Sequence, residues 1–294
     1  MTTLEMATGE ATQLMVDHPG WFVTTGGRAR RAFQRGGTIW MITAESDRNP
    51  PEVDVEIVRH GTVAANACPI IDTYDPGTLP LLLREPLLIT GLGRVHRIRN
   101  PDLWDAMLPQ FFCHRRRVAD GARAYRSFCK RYGTEVTTTA GSALLPPRPD
   151  AVIDLDDDAF TQIGFKYQGH ATRLLAQGYL RRLPDLTSMK PVELFKALQE
   201  IHGIGKWSAA RAVADTTGDF SFYPQADFQP AFHWAQIDGE VGAILQTQEA
   251  LACWEACTHE QRATLTALTI HKLQSIPSKA EAAIIDSAPS GPRC

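Results

Sequence analysis

Apolar and polar positions change rhythm once along the chain, between residues 90 and 100. Before that point, short apolar runs such as Trp21-Phe22-Val23, Thr38-Ile39-Trp40-Met41-Ile42 and Val53-Asp54-Val55-Glu56-Ile57-Val58 are separated by Gly26-Gly27, Gly36-Gly37 and Asn49-Pro50-Pro51. That is the pattern of strands and turns. From Asn100 the apolar spacing becomes helical. Asn100-Pro101 predicts a cap with proline at the first helical position, and Leu103, Trp104, Met107 and Leu108 follow on one face. A helix is expected over Val118–Tyr132, stopped by Gly133, and Pro146-Pro147-Arg148-Pro149 marks a loop. Further helical patterns run over 156–163, 169–182, 191–201, 206–215, 227–237 and 260–273. The expected class is therefore α+β: a small antiparallel β-rich N-terminal lobe (1–90), a mainly α-helical region (91–276) and a disordered tail (277–294).

Composition changes this picture little. A chain of 294 residues that is 44% apolar can bury a substantial core. It has no uninterrupted apolar stretch of membrane-spanning length, and Met1-Thr2-Thr3-Leu4-Glu5 lacks the basic start and apolar run of a secretory leader. The expectation is a soluble, cytoplasmic protein. Six cysteines (Cys68, Cys113, Cys129, Cys253, Cys257, Cys294) without a CxxC pair argue against zinc ribbons and a disulfide framework. Cys253 and Cys257, one helical turn apart, read as small buried apolar side chains, and no metal is assigned to them.

The formal net charge of -3 does not advertise a nucleic-acid partner, so such a partner must show as a local asymmetry. Between Arg94 and Arg131 there are ten Arg or Lys and three acids (Asp102, Asp105, Asp120). This excess suits either a solvated helix face or a phosphate-binding surface.

The most informative segment is Leu198-Gln199-Glu200-Ile201-His202-Gly203-Ile204-Gly205-Lys206-Trp207-Ser208-Ala209-Ala210. An amphipathic helix meets two glycines that bracket one apolar residue, and a second helix begins. The glycines allow a tight hairpin and a close approach of backbone amides to a phosphate oxygen, while the second helix aims its positive end at the same anion. Such a hairpin grips backbone rather than reading sequence. Alone, a GxG is equally an ordinary helix connection.

With its surroundings, the segment resembles the helix-hairpin-helix (HhH-GPD) DNA glycosylase superfamily, in particular the alkylated-base branch related to 3-methyladenine DNA glycosylase II. Three blocks carry the resemblance. The first is Gly91-Leu92-Gly93-Arg94, then Asn100 to Ala106, ending at Arg131-Tyr132-Gly133. The second is Phe160 to Arg173, with Ile163-Gly164 before a basic helix. The third is Asp219-Phe220-Ser221-Phe222-Tyr223-Pro224-Gln225-Ala226-Asp227-Phe228, similar to the family's catalytic segment but with Ala226 in place of glycine. The match spans residues 91 to about 273.

The resemblance implies a monofunctional DNA glycosylase that removes alkylated bases from double-stranded DNA in base excision repair. It would act as a nucleoid-associated monomer with no cofactor beyond, at most, a monovalent cation on the hairpin carbonyls. Cleaving an N-glycosidic bond builds positive charge on the sugar, which a carboxylate held beside it stabilises. By resemblance Asp227 is that catalytic carboxylate, although an Asp opening a helix after proline is by itself an ordinary N-cap. Trp207, Phe228, Tyr223 and Phe165 are the candidate base pocket, with Tyr167 and Phe222 nearby in sequence. Gly203, Gly205, Lys206 and Ser208, together with His114, Arg115, Arg116 and Arg117, are the candidate DNA contacts. The stretch Cys113-His114-Arg115-Arg116-Arg117 corresponds to the family's wedge loop, usually Gly-Gln-Gln or Gly-Gln-Leu, so that His114 or Arg115 would occupy the wedge places. Bifunctional relatives carry a lysine two residues after the second hairpin glycine, and that position here is Trp207. Three other readings remain open: a non-catalytic DNA-binding protein, a bifunctional glycosylase/lyase using Lys206, and a helical scaffold whose arginine face binds an acidic protein.

Overall fold

The computed structural model describes residues 2–4, 12–24, 27–45, 51–64, 67–80, 89, 92–113, 118–166, 168–186, 188–223, 252 and 255–274. Its N-terminal part is built on a five-stranded antiparallel sheet of β1 (Thr2–Leu4), β3 (Phe22–Val23), β4 (Arg28–Arg35), β5 (Thr38–Glu45) and β6 (Glu52–Arg59), in the order β1-β6-β5-β4-β3. The expected apolar runs are β3, β5 and β6. The sequence pattern passes over β4 because arginine occupies four of its eight positions. Its Ala29, Ala32 and Phe33 are nonetheless buried. Gly36 and Gly37 turn the chain between β4 and β5 with φ of 53° and 79°, the left-handed pair that a two-residue hairpin turn requires.

A second sheet joins β2 (Thr12–Leu14), β7 (Ile71–Tyr74) and β8 (Arg94–Ile98). β8 lies between the other two, parallel to β2 and antiparallel to β7. A strand that follows residue 90 thus completes a sheet begun before it.

The helical part opens with α1 (Leu103–Cys113), every residue of which is buried, and α2 (Val118–Tyr132). The cap of α1 differs from expectation. Asp102, not Asn100, accepts from the Trp104 amide (3.0 Å), while the Asn100 side-chain oxygen accepts from the Asp102 amide (3.0 Å) and its NH2 turns inward. Gly133 ends α2 for a steric reason: a Cβ there would lie 2.0 Å from the Leu145 carbonyl oxygen. The hairpin β9 (Thr134–Thr138) and β10 (Gly141–Leu145), unforeseen in the sequence, follows and leans on β4, where Arg30 Nε donates to the Ser142 carbonyl at 2.6 Å.

Next come α3 (Pro149–Ile153), α4 (Asp157–Gln162), α5 (Gly169–Leu186), α6 (Pro191–Leu198), α7 (Lys206–Thr217) and, after a 3-10 turn at Phe220–Phe222, α8 (His259–Gln274). Gly164 closes α4 in the left-handed conformation (φ 77°), with the Phe165 amide reaching back to the Phe160 carbonyl at 2.7 Å. One core gathers Trp104, Leu108 and Phe112 of α1, Phe128 of α2, Leu175 of α5, Leu198 of α6 and Val213 of α7. A second core packs Leu265 and Leu268 of α8 against Phe220, Ala214 of α7, Val95 of β8 and Tyr74 of β7. The antiparallel sheet followed by helices is the expected α+β class. Among the described residues no helix is long and apolar enough to cross a membrane. The helix expected over 227–237 and the tail over 277–294 lie outside the described residues.

Candidate nucleic-acid interface

The segment joining α6 to α7 is the tight hairpin expected from sequence. Gly203 has φ 83°, and a Cβ there would meet the Phe111 ring of α1 at 2.7 Å, so both backbone and packing call for glycine. Ile201 and Ile204 are buried, and the Ile204 amide bonds to the Ile201 carbonyl at 3.1 Å. His202, Gly203, Gly205 and Lys206 between and after them are exposed. Gly205 is the N-cap of α7 with no side-chain cap, and nothing lies within 4 Å of where its Cβ would be. The turn is thus anchored by two isoleucines and presents a bare helix N-terminus outward. The amides of a first helical turn have no acceptor inside the helix, and the helix dipole adds partial positive charge there. The arrangement suits a phosphate oxygen.

Beyond Gly205 the helix divides by face. Lys206 is exposed and Trp207 half-buried, whereas Ser208 is buried (3% exposed) and offers no side chain to a phosphate. Arg211 lies one turn beyond Trp207, its guanidinium carbon 4.8 Å from the centre of a Trp207 ring. Sequence reading missed Arg211, although its i+4 spacing from Trp207 was a usable signal. Arg211, Gln110 of α1 and Tyr223 line one small hollow of about 10 Å³ with Asp17 and His18. Gln110 Oε1 has no hydrogen-bond partner among the described residues. Tyr223 is buried and stacks on Phe220 with ring centres 5.7 Å apart, and its burial raises the hydroxyl pKa to about 12.

Phe165, expected at a base pocket, is instead wholly buried with its ring centre 4.4 Å from that of Phe112. It fills the helical core. Phe222 stacks on Phe195 at 5.1 Å. Asp227, Phe228, Tyr167, His114, Arg115, Arg116, Arg117 and Cys253 lie outside the described residues, while Cys257 is buried.

The far end of α7 is held by buried charges. Asp215 pairs with Arg97 of β8 and accepts from Asn100 Nδ2 at 2.9 Å. Arg97 also binds Asp17 (3.0 and 3.2 Å). Asp105 of α1 takes Arg31 of β4 at 2.7 Å, Asn100 Nδ2 at 3.1 Å and the Tyr125 hydroxyl of α2. His18 accepts the Gly20 amide on Nδ1 (2.9 Å) and faces the Asp105 carbonyl through Nε2 (3.1 Å), an arrangement for the neutral ring with its proton on Nε2. Burial and the nearby Arg31 charge keep the His18 pKa low. Burial acts to raise both Asp105 and Asp215, but their cationic partners win and hold both below the usual carboxylate range.

This network corrects the reading of the basic stretch. Arg97 is buried inside it, Arg99 grips Asp72 (2.6–3.0 Å) and Arg94 pairs with Asp75 at 2.9 Å. All three arginines are thus engaged by carboxylates inside the fold, Arg97 fully buried and Arg94 and Arg99 partly exposed.

No protein-family model matches the chain, and no curated protein matches it in sequence. Solved structures do. The 3-methyladenine DNA glycosylase from Archaeoglobus fulgidus superposes over 87% of this chain and 89% of its own, with TM-score 0.59 and 17% identity. The 8-oxoguanine glycosylase/lyase of Clostridium acetobutylicum matches in its apo form over 86% of this chain and 87% of its own, with TM-score 0.55 and 12% identity. The same enzyme in complex with double-stranded DNA containing cytosine opposite 8-oxoguanine gives TM-score 0.57 at 11% identity, over 86% of each chain. The chain has the fold of the helix-hairpin-helix DNA glycosylases. In this glycosylase fold, α7 carries the hairpin at one end and the interlobe charges at the other. Tyr223, the last described residue before Asp227 in the sequence, lines the same hollow as Arg211.

Proposed function

We propose that this protein is a monofunctional DNA glycosylase that releases alkylated purines of the 3-methyladenine and 7-methylguanine kind from duplex DNA. The observation that carries the reading is the bare N-terminus of α7 behind Gly203-Ile204-Gly205, in a chain with the glycosylase fold. The hairpin would hold a backbone phosphate next to the lesion while the damaged base is turned out of the stack toward Trp207. Asp227, four residues beyond Tyr223, would stand beside the sugar, stabilise its developing positive charge and orient the attacking water. The electron pair of the broken bond leaves with the base and cancels the positive charge that alkylation placed on it, while water supplies the hydroxyl that remains on the sugar and yields its other proton, by way of Asp227, to solvent.

Monofunctionality rests on register. The position two beyond Gly205 is Trp207, so that helical position carries no amine to form a Schiff base with the sugar. Lys206 is exposed at the first position of α7, suited to phosphate or solvent.

The test is release of free base from duplex DNA bearing alkylated purines. Wild type is expected to release base and leave alkali-labile sites, and Asp227→Asn to lose about a hundredfold or more in rate while still binding DNA. Full activity in that variant would remove Asp227 from the mechanism. Borohydride should trap no covalent adduct; an adduct lost in Lys206→Gln would establish the bifunctional alternative.

A further inference from the structure

A cleft of about 680 Å³ opens between the N-terminal sheet and the helices, at the end of α7 opposite the hairpin. That volume is in the range of small-molecule sites. Its lining reaches from the β4–β5 turn and the end of β6, past the residues before α1, to the second half of α5 and the last two residues of α7. Nothing in the glycosylase reading uses it, since the hairpin and Trp207 are at the other end of α7.

The lining is electrically one-sided. Arg35, Arg59, Arg99 and Arg148 all border the cleft, against one carboxyl, Asp102. Asp102 is already engaged as the cap of α1 and accepts from Gln34 Nε2 at 3.3 Å. Arg99 is neutralised by Asp72, and Arg148 by Asp150 at 2.9 Å. Arg35 and Arg59 have no carboxylate partner among the described residues, and the Arg59 Nε donates to the Gly37 carbonyl at 2.9 Å, which steadies its guanidinium at the rim. Two guanidiniums at one mouth, in a protein of net charge -3, suit a carboxylate or phosphate head.

Ile70, Leu103, Leu183, Leu186, Met189 and Leu194 give the wall an aliphatic stretch, beside the polar Gln34, Asn100, Thr216 and Thr217. Tyr179, the aromatic member, is buried with its ring 5.4 Å from that of Trp104, leaving no open face on which a nucleobase could stack. A saturated body therefore fits the wall better than a nucleotide does. We propose that this cleft is a second site, which binds a small amphipathic anion, a carboxylate or phosphate monoester on an aliphatic body.

The experiment is calorimetric titration of the full chain with decanoate and decyl phosphate, using decan-1-ol and adenosine monophosphate as comparators. One-to-one saturable binding of at least one of the two anions is expected, with decan-1-ol and the nucleotide about tenfold weaker or worse. Whichever of the two binds more tightly identifies the head group. The double variant Arg35→Ala/Arg59→Ala, with an unchanged melting curve, should weaken binding about tenfold or more, and Leu183→Trp should abolish it by filling the cleft. Absence of saturable binding by both anions, undiminished binding in the double arginine variant, or preference for the nucleotide would each overturn the proposal. Because the double variant changes rim side chains alone, it decides the matter even if Leu183→Trp fails to fold.

Discussion

Arg211 lies over Trp207 and so decides what the indole can offer. A guanidinium over a ring face already satisfies the attraction that a cationic base would seek there, and adds like charge beside it. Arg211→Ala is therefore expected to raise release of cationic 7-methylguanine, relative to an uncharged lesion such as hypoxanthine, by about threefold or more. An unchanged ratio would show that Arg211 does not face the base. Asp102 supports a second expectation. Burial first, then the Asp105 charge, push its pKa up to about 7. A carboxyl raised above its unfolded value of about 3.9 contributes fully to stability below about pH 4 and loses that contribution as pH rises through about 7. Asp102→Asn keeps a capping oxygen and removes the titration, so its Tm should gain on wild type by about 3 °C or more between about pH 4 and pH 8. A difference that does not vary with pH would refute this.

At the scale of elements, the two hairpin glycines do different work. Gly203 combines a positive φ with a Cβ position 2.7 Å from Phe111, whereas Gly205 has extended φ and open space. Gly203→Ala should push the hairpin off the Phe111 ring of α1 and cost about 2 kcal/mol or more, seen as a lower Tm. Gly205→Ala trades a weaker N-cap against reduced freedom of the unfolded chain, and the two offset to within about 1 kcal/mol. Its methyl group would instead stand where a phosphate oxygen approaches, so DNA binding should fall about tenfold with little change in Tm. Equal losses of Tm in the two variants would mean that the hairpin is structural alone.

At the scale of the whole molecule, what sequence revealed depended on how local the cause was. Helices α2, α5, α7 and α8 were legible because 3.6-residue periodicity and stop signals such as Gly133 are written within each segment. The hairpin was legible for the same reason. β4 was hidden by arginines whose partners are far away in the chain: Arg31 finds Asp105, and Arg30 finds Ser142. The basic run misled for the converse reason, since the acids that neutralise Arg94, Arg97 and Arg99 lie at positions 75, 17, 215 and 72. If Arg115, Arg116 and Arg117 supply phosphate contacts, replacing all three with alanine should flatten the plot of log affinity against log salt by about three. An unchanged slope would exclude them as phosphate contacts. The network around Asp215 also has a mechanical side. About 15 Å of rigid helix separates Gly205 from Asp215, with the hairpin end seated on the buried Ile201 and Ile204 and the other end gripped by Arg97 and Asn100. α7 is thus a beam supported at both ends. A push on the hairpin is shared between the helical core and β8, which gives a lobe without assigned chemistry the task of a foundation.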